Sequence, residues 1–264
     1  MSPDLWFWLA LATKMAVTAA FVVVATATAE RAGAFIGALV ATLPIAAGPA
    51  YLFLALEHDA AFIADAARAS LVINAVTAIY ALVYAATAQR RGLAVSLAAA
   101  MTVWAILALL VQSTAWTLAG AFLLNIVVIS VCVAIGRRFR DVAMPLMTRR
   151  WYDIPLRAAM AALLVATVVG LSARVGPTVT GMLAVFPIVL TSLMLILQPR
   201  IGGPATAAVL ANTISGLAGF SLCLLALNLT VLSLGSAAAL TLALAVSIGA
   251  NLLIFTARRR GVPI

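Results

Sequence analysis

The chain has 264 residues, 66% of them hydrophobic and only 9% charged, a balance that excludes a soluble globule. Sixteen Lys and Arg against seven Asp and Glu leave a net charge of +9. The basic residues fall in short runs between apolar segments, so the charge reads as membrane topology and not as nucleic-acid binding.

Stretches of about twenty apolar residues, each able to cross a hydrocarbon core roughly 30 Å thick as a helix, recur from end to end. Spans are expected at 6–28, 33–55, 63–87, 92–111, 117–135, 153–172, 178–197, 205–227 and 233–256. The first is read as a span and not a signal peptide, because Lys14 lies inside its apolar stretch and no basic segment precedes it. The uncharged run 92–135 is too long for one crossing, and Gln112-Ser113-Thr114 supplies a polar turn within it. Cys132 and Cys223 fall inside apolar segments without CxxC spacing, as small hydrophobes do.

With nine spans the basic residues sort 13 against 3. One face takes Arg31, Arg90, Arg91, Arg137, Arg138, Arg140, Arg149, Arg150, Arg157, Arg200, Arg258, Arg259 and Arg260; the other takes Lys14, Arg68 and Arg174. The positive-inside rule then puts the N terminus outside and the C terminus in the cytoplasm. The Arg-rich connection from Arg137 to Arg157 reads as a cytoplasmic connector or as an interfacial segment against anionic lipid.

Shifting the chain by 143 residues aligns it with itself without a gap. Arg31 falls on Arg174, Gly33 on Gly176, Ala41 on Ala184, Pro44-Ile45 on Pro187-Ile188, Lys14 on Arg157 and Gly92 on Gly235. The expected fold is an all-α polytopic membrane protein of about nine helices in a 4+1+4 arrangement. Residues 1–111 form one repeat, 112–152 the fifth helix and the Arg-rich segment, and 153–264 the second repeat. One intervening span inverts the second copy, which is the plan many secondary transporters use. A duplication kept only for packing is the alternative.

The candidate substrate-binding residues follow from this plan. Pro44 and Pro187 sit mid-helix, where each removes a backbone hydrogen bond and bends or breaks its span. Lys14 and Arg157 are charges inside or at the edge of a span, expected at opposite depths, where they either receive an anion or snorkel to the interface. Asp153, four residues before Arg157, is placed to neutralise it in part. Asp65, Arg68, Ser70 and Asn74 mark one face of the third span, with Asn212 and Ser215 in the corresponding part of the second copy. Asn125 and Asn251 are further polar positions. Trp6, Trp8, Trp116 and Trp151 fall near interfaces, whereas Trp104 does not and should pack in the bundle.

No G-x-x-x-x-G-K-[ST] segment is present to cradle a nucleotide, and no nucleophile with a base or metal-ligand spacing appears, so neither an enzyme nor a bound cofactor or metal is expected. The segment GMLAVFPI, Gly181 to Ile188, closing a hairpin that begins near Arg157, resembles the GlpM family of small four-helix bacterial inner-membrane proteins. Lys14 with Pro44-Ile45 is a looser version, with Leu43 where the second copy has Phe186. The resemblance covers about three helices of each half and implies two fused units in a bacterial inner membrane. It also hints at small metabolites or lipid-related phosphates, and it carries over no catalytic residue. The expected function is secondary transport of a small anionic metabolite or such a phosphate, with lipid as surroundings and a homodimer possible. A non-catalytic scaffold or accessory subunit is the alternative.

Overall fold

The computed structural model describes residues 3–31, 44–142, 145 and 150–259. Gly33, Gly37, Ala41 and Leu43 lie outside them, as do Arg149, Arg260 and most of the connection 143–149. The described residues are helical, with no strand among them. The order is α1 (Pro3–Arg31), α2 (Ala47–Glu57), α3 (Ala60–Thr87), α4 (Leu93–Gln112), α5 (Leu118–Gly136), a 3-10 turn (Arg137–Phe139), α6 (Asp153–Ala184), α7 (Ile188–Thr213), α8 (Gly216–Leu234) and α9 (Ser236–Arg259).

Helix is the only open-ended way to satisfy backbone hydrogen bonds within lipid. Seven helical stretches among the described residues are long and apolar enough to cross a membrane, which makes this a multi-pass membrane protein. Starts and stops follow local chemistry. The Asp59 side chain accepts from Phe62 N at 2.8 Å to cap α3, and Thr117 Oγ1 accepts from Gly120 N at 3.1 Å to cap α5, each satisfying a donor that the first turn leaves unpaired. The polar turn expected at Gln112-Ser113-Thr114 separates α4 from α5.

Two long helices are interrupted. Gly176 (φ 75°, ψ 175°) and Gly202 (φ 81°, ψ 167°) take a conformation that only glycine adopts cheaply. They divide α6 into 153–175 and 177–184, and α7 into 188–201 and 203–213. The stretch 188–234 is 47 residues long, too much for one crossing of about 20 residues.

The bundle is built on α3, which is buried on almost every side and packs against α4, α5, α6, α7 and α8. Lipid-facing side chains such as Leu109, Leu123, Leu229 and Leu253 stay exposed on the peripheral helices. Cross-chain bonds give the helix directions. The run 177–203 goes parallel to α3: Ser70 bonds the Gly181 carbonyl (2.5 Å), Tyr80 bonds Thr191 (2.8 Å), and Tyr84 bonds Gln198. Helix α8 runs antiparallel to α3, since Asn228 Nδ2 donates to Ala64 O (2.6 Å) whereas Asn74 Nδ2 reaches Leu217 O (3.0 Å). The parallel seam is tight at both ends. A Cβ on Gly181 would stand 2.1 Å from the Ala66 carbonyl oxygen, and one on Gly203 2.0 Å from that of Ala88.

Candidate functional site at two chain breaks

Pro187 does more than bend a helix. Helix 177–184 stops at Val185, Phe186 and Pro187 have left the helix, and α7 restarts at Ile188. Proline lacks the amide hydrogen that a continuous ladder would need, yet it suits a helix start. Pro44 likewise stands ahead of α2, whose first turn is closed by Gly48 N donating to Pro44 O at 2.6 Å. The mid-helix kinks expected from sequence are therefore helix starts at both positions.

Both starts open on the same cavity of about 360 Å³. Its wall includes five pairs of residues 143 positions apart: Pro44 and Pro187, Ala46 and Val189, Ala47 and Leu190, Asn74 and Leu217, Thr77 and Phe220. Asn212, Thr213, Ser215 and Asn251 complete its polar lining, and among the described residues no charged side chain lines it. Pro44, Pro187, Asn74, Asn212 and Ser215 thus converge here, with Asn251 beside them.

A buried network fixes Asn74. Asn125 Nδ2 donates to the carbonyls of Leu71 (2.6 Å) and Ala121 (2.9 Å), so its Oδ1 faces Asn74 Nδ2 (3.0 Å) and Ser221 Oγ (2.9 Å). Asn74 Nδ2 also lies 2.9 Å from Ser221 Oγ. Ser221 was invisible to the sequence reading, as was Thr77; the only clue to Thr77 is its place one turn after Asn74 on the same helix face. Asn212 is half-buried and bonds its own helix through Ala208 O (2.9 Å). Trp104 packs edge-on against Phe186 of the break, with ring centroids 5.0 Å apart.

Asp65, Arg68, Lys14 and Arg157 lie elsewhere. Asp65 and Arg68 bond each other at 2.7 Å and line a second cavity of about 340 Å³, together with Gln112, Ser113, Thr114 and Trp116. Lys14 forms an ion pair with Glu57 at the end of α2. Arg157 is half-buried on α6 and lies off both cavity walls. The carboxylate expected to neutralise it in part, Asp153, feels its charge but is held chiefly by both guanidinium arms of Arg200, one at 2.8 Å. Arg200 also lies over the Tyr152 ring, 5.2 Å from its centroid. The Tyr152 hydroxyl accepts from Arg150 at 2.9 Å. That bond, with further help from Arg200, holds the phenol below its ordinary pKa. His58 is stacked on Phe62 and bonded to Ser172 at 2.7 Å. Among the described residues no group of His, Cys, Asp and Glu is placed to hold a metal ion.

What the central arrangement offers is a neutral, partly polar chamber bordered by two helix N-termini. The first turns of α2 and α7 leave backbone N–H groups without intrahelical acceptors, and each helix carries the positive end of its dipole there. Compared with protein-family models, curated proteins and solved structures, the chain gives no match.

Proposed function

We propose that the protein is a secondary transporter that moves a small anionic metabolite or lipid-related phosphate by alternating access between two inverted four-helix repeats. The observation that carries the reading is the meeting of the Pro44 and Pro187 breaks in one cavity whose wall is shared by residues 143 apart. Helix starts at mid-bundle are where transporters of this plan hold the anionic part of a substrate. The N-termini of α2 and α7 supply that chemistry without a charged side chain. The parallel course of α3 with 177–203, and the antiparallel course of α3 with α8, are the directions that a nine-span 4+1+4 topology requires.

The two halves are unequal in a way that suits one access state. The run 177–203 is bonded along α3, whereas Tyr51, Leu52 and Phe53 of α2 and Cys223, Leu224 and Leu227 of α8 line an apolar cavity of about 380 Å³. In an inverted pair these are equivalent seams, one hydrogen-bonded along its length and one bordering a cavity. The GlpM-like hairpin and the 13-to-3 charge partition belong to the same proposal, with a bacterial inner membrane as the location and the C terminus inside. A scaffold with a closed centre would have no use for paired breaks.

Reconstitution in liposomes tests this. Uptake of inorganic phosphate, phosphate monoesters or small carboxylates above protein-free vesicles is expected, together with its loss in Pro187→Leu, which fills the chamber mouth. No uptake of any of them, together with stoichiometric copurification of another protein, would transfer the assignment to an accessory subunit.

A further inference from the structure

Beside the chamber, two residues of its wall carry buried acceptors to which none of the described residues donates. Among the described residues, the buried side-chain oxygens lacking any partner include Asn74 Oδ1 and Thr77 Oγ1, and both residues line the chamber. Asn74 is fully buried and Thr77 is 4% exposed.

Amide orientation does not explain this away. The carbonyls of Leu71 and Ala121 can only accept, which fixes Asn125 with its oxygen toward Asn74; Leu217 O can only accept, which fixes Asn74 with its nitrogen toward Leu217. The two amide hydrogens of Asn74 and the one hydroxyl hydrogen of Ser221 are then used up on Leu217 O, Asn125 Oδ1 and Ser221 Oγ. Nothing is left to donate to Asn74 Oδ1. Thr77 departs from the habit of its neighbours: Thr18, Thr87, Thr167 and Thr206 each turn the hydroxyl back onto the carbonyl four residues earlier, and Thr77 does not.

The place of these oxygens is informative. Along the parallel seam, Ser70 pairs with Gly181 and Tyr80 with Thr191, each 111 residues apart. By that register Asn74 to Thr77 lie beside the break at 185–188. The C-terminal end of helix 177–184, at Ala184 and Val185, lines the same chamber. Its last carbonyls carry the negative end of the helix dipole.

We propose that this corner of the chamber binds a monovalent alkali cation, through Asn74 Oδ1, Thr77 Oγ1 and the carbonyl end of 177–184. Neutral amide, hydroxyl and carbonyl oxygens are hard ligands for such an ion, and the lack of a carboxylate among the described residues of the wall disfavours calcium and magnesium. The opposite poles then share one space: helix N-termini for an anion, helix C-terminus and orphaned oxygens for a cation. Loading both leaves the chamber close to neutral, which removes much of the cost of burying either charge alone. The site names the coupling ion of the transport proposal and rests on it.

Thermal unfolding of the purified full chain in detergent reads binding without a gradient. Sodium chloride and potassium chloride are each titrated against N-methyl-D-glucamine chloride at constant ionic strength. A saturable rise in midpoint temperature is expected with at least one alkali ion, because an ion that binds only the folded state stabilises it. Thr77→Val removes an unbonded hydroxyl at constant shape, so it should fold as well as wild type while shifting the cation midpoint by about tenfold or more. Thr180→Val removes another orphaned buried hydroxyl, one off the chamber wall, and should leave the cation response unchanged. Equal curves in all three salts, or an unaltered response in Thr77→Val, would overturn the proposal. Cation binding without uptake of any anion removes the transport reading alone, and uptake without a cation-specific shift removes the cation site alone.

Discussion

Asn74 donates its side-chain amide to the carbonyl oxygen of Leu217, the residue 143 positions further along the chain, at 3.0 Å. In two copies related by a two-fold axis, a residue meets its own counterpart only where the axis passes. The bond is asymmetric, one residue supplying a side chain and the other a backbone oxygen, so under the proposed inverted duplication it would break the equivalence of the halves at the point where they cross. Replacing Asn74 by Leu leaves Leu217 O and Asn125 Oδ1 to share the single hydrogen of Ser221. A loss of about 1–2 kcal/mol is expected, toward the low end because such bonds within lipid are worth little more than in water. Ser221→Ala should cost less, since both Asn74 hydrogens remain. Unfolding in a denaturing detergent titration ranks the two, and equal losses would contradict the donor accounting.

The parallel seam between α3 and 177–203 depends on two glycines. At Gly181 and Gly203 a Cβ would meet the carbonyl oxygens of Ala66 and Ala88 at 2.1 and 2.0 Å, well inside contact distance, and backbone cannot step aside as a side chain can. Gly181→Ala and Gly203→Ala should each cost about 1–3 kcal/mol. Their effects should add, because Ala66 and Ala88 lie roughly 30 Å apart along α3. Gly48→Ala is the control: nothing lies within 4 Å of its Cβ position, and a change within about 0.5 kcal/mol is expected.

The pattern of apolar runs located helix along the described residues, because a span in lipid has few alternatives to helix. It put the breaks at 173–177 and 198–204, where Gly176 and Gly202 interrupt α6 and α7, but not at 185–187 and 214–215, where α6, α7 and α8 end and restart. The 143-residue offset also picked out Pro44 and Pro187 before either was seen to face a cavity. Polar partners were less legible. Asn74 and Asn125 were visible as polar marks in apolar helices, but that they join through Ser221 depends on how three helices cross, which no single helix encodes. Pairing of charges was only partly legible at Asp153, which feels Arg157 four residues on but takes its main partner from elsewhere in the chain. The distant Arg200 prevails because its planar fork meets both carboxylate oxygens. Lys14 was read as a lone charge because Glu57, 43 residues away, comes beside it only through the packing of α1 against α2.

The Asp153 and Arg200 side chains are 10% and 8% exposed, so breaking the pair should be felt. Arg200→Lys keeps the charge and loses the fork; Arg200→Ala takes away the guanidinium that grips both carboxylate oxygens. The expected order of thermal stability is wild type, then Arg200→Lys, then Arg200→Ala. The double variant Asp153→Ala/Arg200→Ala should recover part of the loss, since it leaves no unpaired buried charge. A double variant no better than Arg200→Ala would show that Arg200 acts through its packing over Tyr152 and not through the carboxylate.

The ion pair of Lys14 and Glu57 separates two roles for the one lysine in the chain. If Lys14 held the anion, Lys14→Gln and Lys14→Gln/Glu57→Gln would both abolish uptake, and removing Glu57 alone would strengthen binding by freeing the ammonium. If Lys14 serves the pair, the carboxylate left by Lys14→Gln is the harmful product, and the double variant relieves it. Lys14 is off the wall of the central chamber, so the second pattern is expected. Uptake should fall in Lys14→Gln and return to within about twofold of wild type in the double variant, because a partly exposed pair contributes about 1 kcal/mol or less. Raised salt should narrow the gap between Lys14→Gln and wild type, since screening weakens what the stranded Glu57 can do. A double variant as inactive as Lys14→Gln, at every ionic strength, would return Lys14 to the substrate path.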